Sequence, residues 1–234
     1  MSNRLKNISR HLVLAATLFS LALVGTASTL AAPEKWEVLF DGKSTEKFRG
    51  FRQVGFPTSW TVADGTLKTI VGNGSDIMTR DQYDNFELQL EWKISAGGNS
   101  GIIYRATESG AEVWHTGPEM QVLDDNLHPD GKNPKTTAGS LYALIAATGK
   151  KLVPVGQWNK AKLIVNGNHV EHWLNGVKVV AYELNSERLR DLIAQSKFKD
   201  LPKFSKEPKG HIVLQHHHDE VAYRNIRIRK LTSK

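Results

Sequence analysis

Three consecutive histidines, His216, His217 and His218, end the stretch "IVLQHHH" close to the C-terminus. Imidazole titrates near neutral pH and serves as general base, general acid or metal ligand. Side chains alternate across a strand, so Ile212 and Leu214 share a face with His216, while Val213 and Gln215 share the other with His217. Three adjacent histidines of one regular strand therefore cannot converge on a single ion. With Ile212 and Leu214 in a core, Gln215 and His217 face outward together, which makes His217 a candidate base and Gln215 a candidate binding group. His216 and His218 read as hydrogen-bonding neighbours at the strand end.

Three further stretches concentrate polar groups. In "GPEMQVLDDNLH", Glu119 and Gln121 project from one side of a strand and Met120 and Val122 from the other. Asp124, Asp125 and His128 follow; these hard oxygen donors and an imidazole suit a divalent cation if other strands complete the shell. The spacing matches no strong metal motif, and an Asx-capped turn explains the acids equally well. In "SAGGNSGIIYRA", Gly98 and Gly101 permit a bulge or a close backbone approach to a ligand, with Asn99, Ser100, Tyr104 and Arg105 around them. No helix and no lysine follow, so this is not a phosphate loop. In "NHVEHWLNG", His172 lies between Val170 and Leu174, as either a satisfied core residue or the point where a core face opens into a cleft. Glu171 and Trp173 face the other way together, a pair suited to a sugar, since an indole stacks on C–H groups and a carboxylate accepts from hydroxyls. A cross-strand surface pair is the simpler alternative.

Most of the chain that must position these groups alternates with period two. "FELQLEWKI" sets Phe86, Leu88, Leu90, Trp92 and Ile94 against Glu87, Gln89, Glu91 and Lys93, the pattern of a half-buried strand. Asp64-Gly65, Asn166-Gly167 and Asn175-Gly176 are hairpin signals, and the last two predict three consecutive short strands. The predicted fold is all-β, a sandwich of two antiparallel sheets. One interruption, "NSERLRDLIAQSKF", is helical, with Ser186 or Asn185 as N-cap and Leu189, Leu192 and Ile193 on one stripe. It inserts between strands as a cap over one sheet or as a plain connector.

Arg4, Lys6 and Arg10, an apolar run, and "STLAA" read as a signal peptide cut after Ala31, which leaves one domain over 32–234 in a periplasmic or secreted protein. The apolar run is short for a membrane-spanning helix. There is no cysteine, hence no disulfide framework. The net charge of +7 includes three positive and no acidic residues before the cut, so the remainder carries +4 and scatters it. Nucleic-acid binders concentrate basic charge on one face, so that class is set aside.

Together, "LFDGKS", "GNSGIIYR", "GPEMQVLDD", "PVGQWNKAKLIVNGNHVEHWLNGVKVVAYEL" and "GHIVLQHHHDEVAYRNIRIRKL" resemble the 3-keto-disaccharide hydrolase domain family, formerly domain of unknown function 1080, over residues 36–231. The resemblance implies a concanavalin A-like jelly roll, export, and an oxidised disaccharide or glycoside, ketone at C3, as substrate. A C3 ketone acidifies the C2 proton, so a base can remove it and the glycosidic oxygen can leave C1 by elimination. An ordinary glycosidase instead needs two carboxylates flanking the bond at about 5 Å or about 6.5–9.5 Å. The resemblance carries catalytic roles to His217, His172 and Glu119, and substrate-binding roles to Asn99, Ser100, Tyr104, Gln121 and Glu171. The family pattern reads "LQDHG" where this chain has "LQHHH", so His217 aligns with the family histidine and His218 replaces a glycine. The alternatives are a non-catalytic carbohydrate-binding sandwich and a hydrolase of unoxidised β-glucans.

Overall fold

The computed structural model describes residues 35–232, and the expected signal peptide lies outside them. Eight strands form one antiparallel sheet: β1 (Glu37–Phe40), β3 (Trp60–Ala63), β4 (Thr66–Thr69), β6 (Phe86–Ile94), β9 (Asn159–Asn166), β10 (His169–Leu174), β11 (Val177–Glu183) and β13 (Val221–Lys230). Its order is β11-β10-β9-β6-β13-β4-β3, with β1 also paired to β13. Five strands form the second: β2 (Phe48–Gly50), β5 (Ile77–Thr79), β7 (Asn99–Ala106), β8 (Glu119–Leu123) and β12 (His211–Leu214), in the order β2-β5-β12-β7-β8. The two layers make the concanavalin A-like jelly roll. No helix among the described residues is long and apolar enough to cross a membrane.

Alternation decides which side chains meet between the layers. Leu88, Leu90 and Trp92 of β6 pack with Ile102 of β7, Met120 and Val122 of β8, and Ile212 and Leu214 of β12. Each such side chain contributes roughly 1.5–3 kcal/mol by leaving water. The polar face of β6 stays outside and pairs across to β13, Glu87 with Arg229 and Glu91 with Arg224. The opposite, outer face of the five-stranded sheet carries a separate apolar cluster of Met78, Ile103, Ala106, Val113 and Val213.

The hairpins follow their turn chemistry. Asp64 and Gly65, and Asn175 and Gly176, all take positive φ, as a two-residue type I′ loop requires. The turn near 166 differs from the expected Asn-Gly. Asn166 ends β9 in register with His169, so the loop is Gly167-Asn168, with only Gly167 at positive φ, as in a type II′ turn.

Helix α1 (Glu187–Ala194) starts at Ser186, whose Oγ accepts from the Leu189 N–H at 3.1 Å. Leu189 is buried in the main core, with Leu192 and Ile193 partly covered. Beyond α1 the chain crosses toward the five-stranded sheet, where Phe198 stacks on Phe204 at 4.0 Å and the Ser205 N–H donates to Thr116 O. Thr116 follows a 3₁₀ turn at Val113–His115 that lies on the outer face of that sheet. The insertion therefore reaches an outer face as well as filling a connection.

Candidate active site

Four strands bring one polar row to the outer face of the five-stranded sheet. Gly101 of β7 pairs with Gln121 of β8. The Gln215 N–H, one residue past β12, donates to Gly101 O at 3.0 Å. The Leu214–Ile77 pairing sets Gln215 level with Asp76, which directly precedes β5. Because Val122, Ile102, Leu214 and Ile77 turn into the core, their neighbours Gln121, Gly101, Gln215 and Asp76 turn out. One pair of residues along, Glu119 sits level with Ile103. Its carboxylate leans back over Gly101, so a Cβ at 101 would overlap Glu119 Oε1. Glycine is needed there for close approach, not for an unusual backbone angle.

This face is electrostatically unusual. Glu119 is 7% exposed, and burial pushes its carboxyl up to about 8, against the opposing charge of Lys197 and with the charges of Asp76 and Asp130 adding to the rise. Burial also lifts Asp76 to about 6, although its Oδ1 accepts from the His216 N–H at 2.7 Å. Gln121 is buried, and neither amide atom has a partner among the described residues. An unpaired buried amide costs about 1–3 kcal/mol, so such groups concentrate where a site requires them.

The rim beside the row is made of imidazoles and amides. The Asn99 N–H donates to Asp219 Oδ2 at 3.0 Å, and Asn99 Nδ2 lies 3.4 Å from His128 Nε2. The rings of His128 and His217 are 6.4 Å apart. Burial lowers the pKa of His217, and the neighbouring His218 and His128 lower it further, so the ring is neutral at pH 7 and able to accept a proton. His216 turns inward, edge-on to Trp60 at 6.0 Å, with its Nε2 3.0 Å from Ile70 O. His218 takes φ 65°, the left-handed region, where the family pattern has glycine.

The structure sets Glu119, Gln121 and Gln215 on one outer face, with Asn99, His128 and His217 along its rim. It separates them from the remaining candidates. His172 is fully buried between the sheets: its Nε2 is 2.9 Å from the Tyr104 hydroxyl and its Nδ1 3.1 Å from Gly139 O, and the Tyr104 and Tyr182 hydroxyls are 2.6 Å apart. Burial lowers its pKa to about 4. Tyr104 is likewise sealed in, and Ser100 bonds inward to Gln215 O and the Tyr223 hydroxyl. Ser100 and Tyr104 share the inward parity of Ile102, and His172 that of Val170 and Leu174, so the core reading of His172 holds and none of the three reaches a sugar on the outer face. Glu171 and Trp173 lie on the outer face of the other sheet, where Glu171 accepts from Trp173 Nε1 and Lys178 while Lys162 covers the indole at 3.7 Å. That is the cross-strand surface arrangement. Asp124 gives one oxygen to the Gly97 N–H and the other to the Asn126 N–H, and His128 Nδ1 accepts from the Asp130 N–H, so both serve as caps of turns. No group of three or more His, Asp or Glu side chains among the described residues is placed to hold a metal ion.

Sequence reasoning missed Asp76, Lys197, Tyr142 and Trp114. Lys197, past α1, holds its Nζ 4.4 Å from the centroid of the Tyr142 ring and 5.2 Å from that of Trp114. The Tyr142 N–H donates to Glu119 O and its hydroxyl to Asp130 Oδ2. Asp76 had a legible signal, since the alternation Asp76-Ile77-Met78 puts the acid on the outward side. The other three come from loops, whose placement no periodicity encodes.

With this geometry in hand, likeness to known proteins is informative. A 3-keto-disaccharide hydrolase from Bacteroides thetaiotaomicron is 35% identical over 228 residues, 82% of this chain and 77% of that protein. A crystal structure of a candidate glycosyl hydrolase from Parabacteroides distasonis matches with TM-score 0.78 and 30% identity, over 84% of this chain and 94% of that one. A non-specific endo-β-1,3(4)-glucanase matches with TM-score 0.50 at 9% identity, over 88% of this chain and 94% of that chain, which shows a shared fold alone. The first two support enzymatic action on carbohydrate. Residues 35–229 match the 3-keto-α-glucoside-1,2-lyase-like domain, and the chain belongs to that family.

Proposed function

We propose that this protein, exported by its N-terminal segment and folded as one domain after it, cleaves 3-keto-glycosides at the outer face of the five-stranded sheet. The observation that carries the reading is a pair of groups on one face with pKa values displaced in opposite directions: His217 downward, Glu119 up to about 8. At pH 7 the first is a free base and the second a protonated acid, and such divergence assigns acid and base. His217 takes the C2 proton, made acidic by the C3 ketone. The C2–H electron pair forms the C1–C2 double bond through the enolate, and the C1–O pair departs with the leaving oxygen, which receives the proton of Glu119. Water then adds to C1 of the enone, with Glu119 recovering a proton from it and His217 returning one to C2, so the net reaction is hydrolysis. Asn99, Gln121 and Gln215 supply amides for substrate oxygens. Family membership supports the oxidised substrate.

A second reading rests on Asp76, whose outward place the alternation Asp76-Ile77-Met78 sets. Two carboxyl groups on one face, Asp76 and Glu119, both raised in pKa, are the inventory of an ordinary glycosidase acting on an unoxidised sugar. Cleavage of 3-keto-trehalose in D₂O separates the two, beside unoxidised trehalose as control. Elimination and hydration place deuterium at C2 of the released 3-keto-glucose, and trehalose stays intact. Cleavage without deuterium at C2, or turnover of trehalose, would overturn the proposal. Binding of either sugar without turnover would instead support a non-catalytic module.

A further inference from the structure

We propose that Lys197, delivered by the chain that follows α1, is a further catalytic residue, donating a hydrogen bond to the glycosidic oxygen as it leaves C1. This rests on the elimination reading and adds a group to it. Lys197 has no carboxylate within ion-pair distance among the described residues, yet two rings from separate segments, Tyr142 at 4.4 Å and Trp114 at 5.2 Å, gather around its Nζ beside that of the adjacent Phe198 at 5.4 Å. Aromatic faces attract a cation at this range and give it a fixed resting place without consuming its hydrogen-bond donors. The resting place adjoins the acid, because Tyr142 is hydrogen-bonded through its backbone N–H to the carbonyl of Glu119. The charge of Lys197 is also the largest influence opposing the burial of that carboxyl. Lys197 is exposed at the lip, so its flexible stem can turn toward a substrate oxygen.

The position beside Glu119 gives the ammonium its task. As the C1–O bond breaks, negative charge builds on the leaving oxygen and then, after proton transfer, on the Glu119 carboxylate. A cation beside both stabilises the charge at each stage. The aromatic rings around it are a natural support for the leaving sugar.

Leaving-group dependence tests this. Lys197→Met should lower kcat/KM on 3-keto-trehalose by on the order of 10²-fold, the usual loss for one stabilising donor. The same variant should lose only a few-fold on 4-nitrophenyl 3-keto-glucoside, whose phenolate leaves without assistance, and Lys197→Arg should recover most of the activity on both. Circular dichroism melting should show the variants folded, as the residue is exposed. An equal loss on the two substrates, or none, would overturn the role of Lys197 while leaving the elimination reading intact if Glu119→Gln still loses activity. A wild-type protein inert on both substrates would overturn the elimination reading itself, and the catalytic role of Lys197 with it.

Discussion

The carboxylate of Glu119 occupies the space a Cβ would fill on Gly101, the cross-strand neighbour of Gln121. The two residues are coupled by volume, not by a hydrogen bond. Gly101 does not lie at positive φ, so its backbone accepts alanine without strain. The displaced atom is the end of a flexible side chain, so Gly101→Ala should fold with a melting temperature within a few degrees of wild type. It should also push the Glu119 carboxylate off the face and lower kcat on 3-keto-trehalose by about 10²-fold, the range for a misplaced acid. Full activity in this variant would show that the carboxylate does not work from where it sits.

Glu119 also leaves a signature on stability. Its carboxyl titrates near 8 in the folded protein, against about 4.3 for an unperturbed glutamate. Between those values the folded state holds a proton that the unfolded state has lost, so stability falls as pH rises through that window. Glu119→Gln keeps the shape and removes the titration. It should match wild type near pH 4.5 and exceed it by roughly 2–4 kcal/mol at pH 8, measured by denaturant unfolding. Parallel curves across this range would mean that the carboxyl is solvated.

His172 and His217 should fail in different ways when changed to alanine. His172 sits between Tyr104 and Gly139 O in the core, so its removal leaves a cavity and unpaired groups worth about 2–4 kcal/mol, with kcat of the folded protein unchanged. Its pKa falls from 6.5 to about 4 on folding, so wild-type stability declines as pH drops through that interval, because the unfolded chain binds the proton first. His172→Ala should lack that decline. His217→Ala should melt close to wild type and lose turnover by about 10²-fold or more.

How much of this was readable beforehand depended on range. Period-two alternation placed Met120 and Val122 inward and Glu119 and Gln121 outward, and the same rule put His217 beside Gln215. Those inferences need only local geometry. The same rule placed His172 with Val170 and Leu174, and family resemblance pulled it toward a catalytic role that its burial does not permit. Glu171 and Trp173 were plausible on chemistry, but nothing in a single strand says which sheet it joins, and theirs faces away. Lys197 and Tyr142 come together through a loop after α1 and a turn beside β8. Only tertiary packing writes such contacts.

The far face supplies a control. Trp173 lines a cleft of about 690 Å³ with Gln89, Glu91, Lys162 and Arg227, on the sheet opposite Glu119. There Glu91 is taken by Arg224 and Gln89 accepts from Arg227. Trp173→Ala should leave kcat/KM on 3-keto-trehalose within about two-fold of wild type, as expected for a surface change away from the chemistry. A large loss would move the active site to that face.

Asp76 and Lys197 bear on Glu119 with opposite sign, which makes the acid testable without touching it. The charge of Asp76 raises the Glu119 pKa and that of Lys197 lowers it. Activity needs Glu119 protonated, so its ionisation sets the alkaline limb of the rate profile. Asp76→Asn removes the raising charge and retains an oxygen for the His216 N–H, so the limb should move to lower pH. Lys197→Met removes the lowering charge, so the limb should move to higher pH. Below about pH 6 the Asp76 carboxyl is itself protonated, and Asp76→Asn should then converge on wild type. Measured from pH 5 to 10, limbs that shift together or stay fixed would show that a group other than Glu119 is the titrating acid; opposite displacements would identify its carboxyl through the two charges that face it.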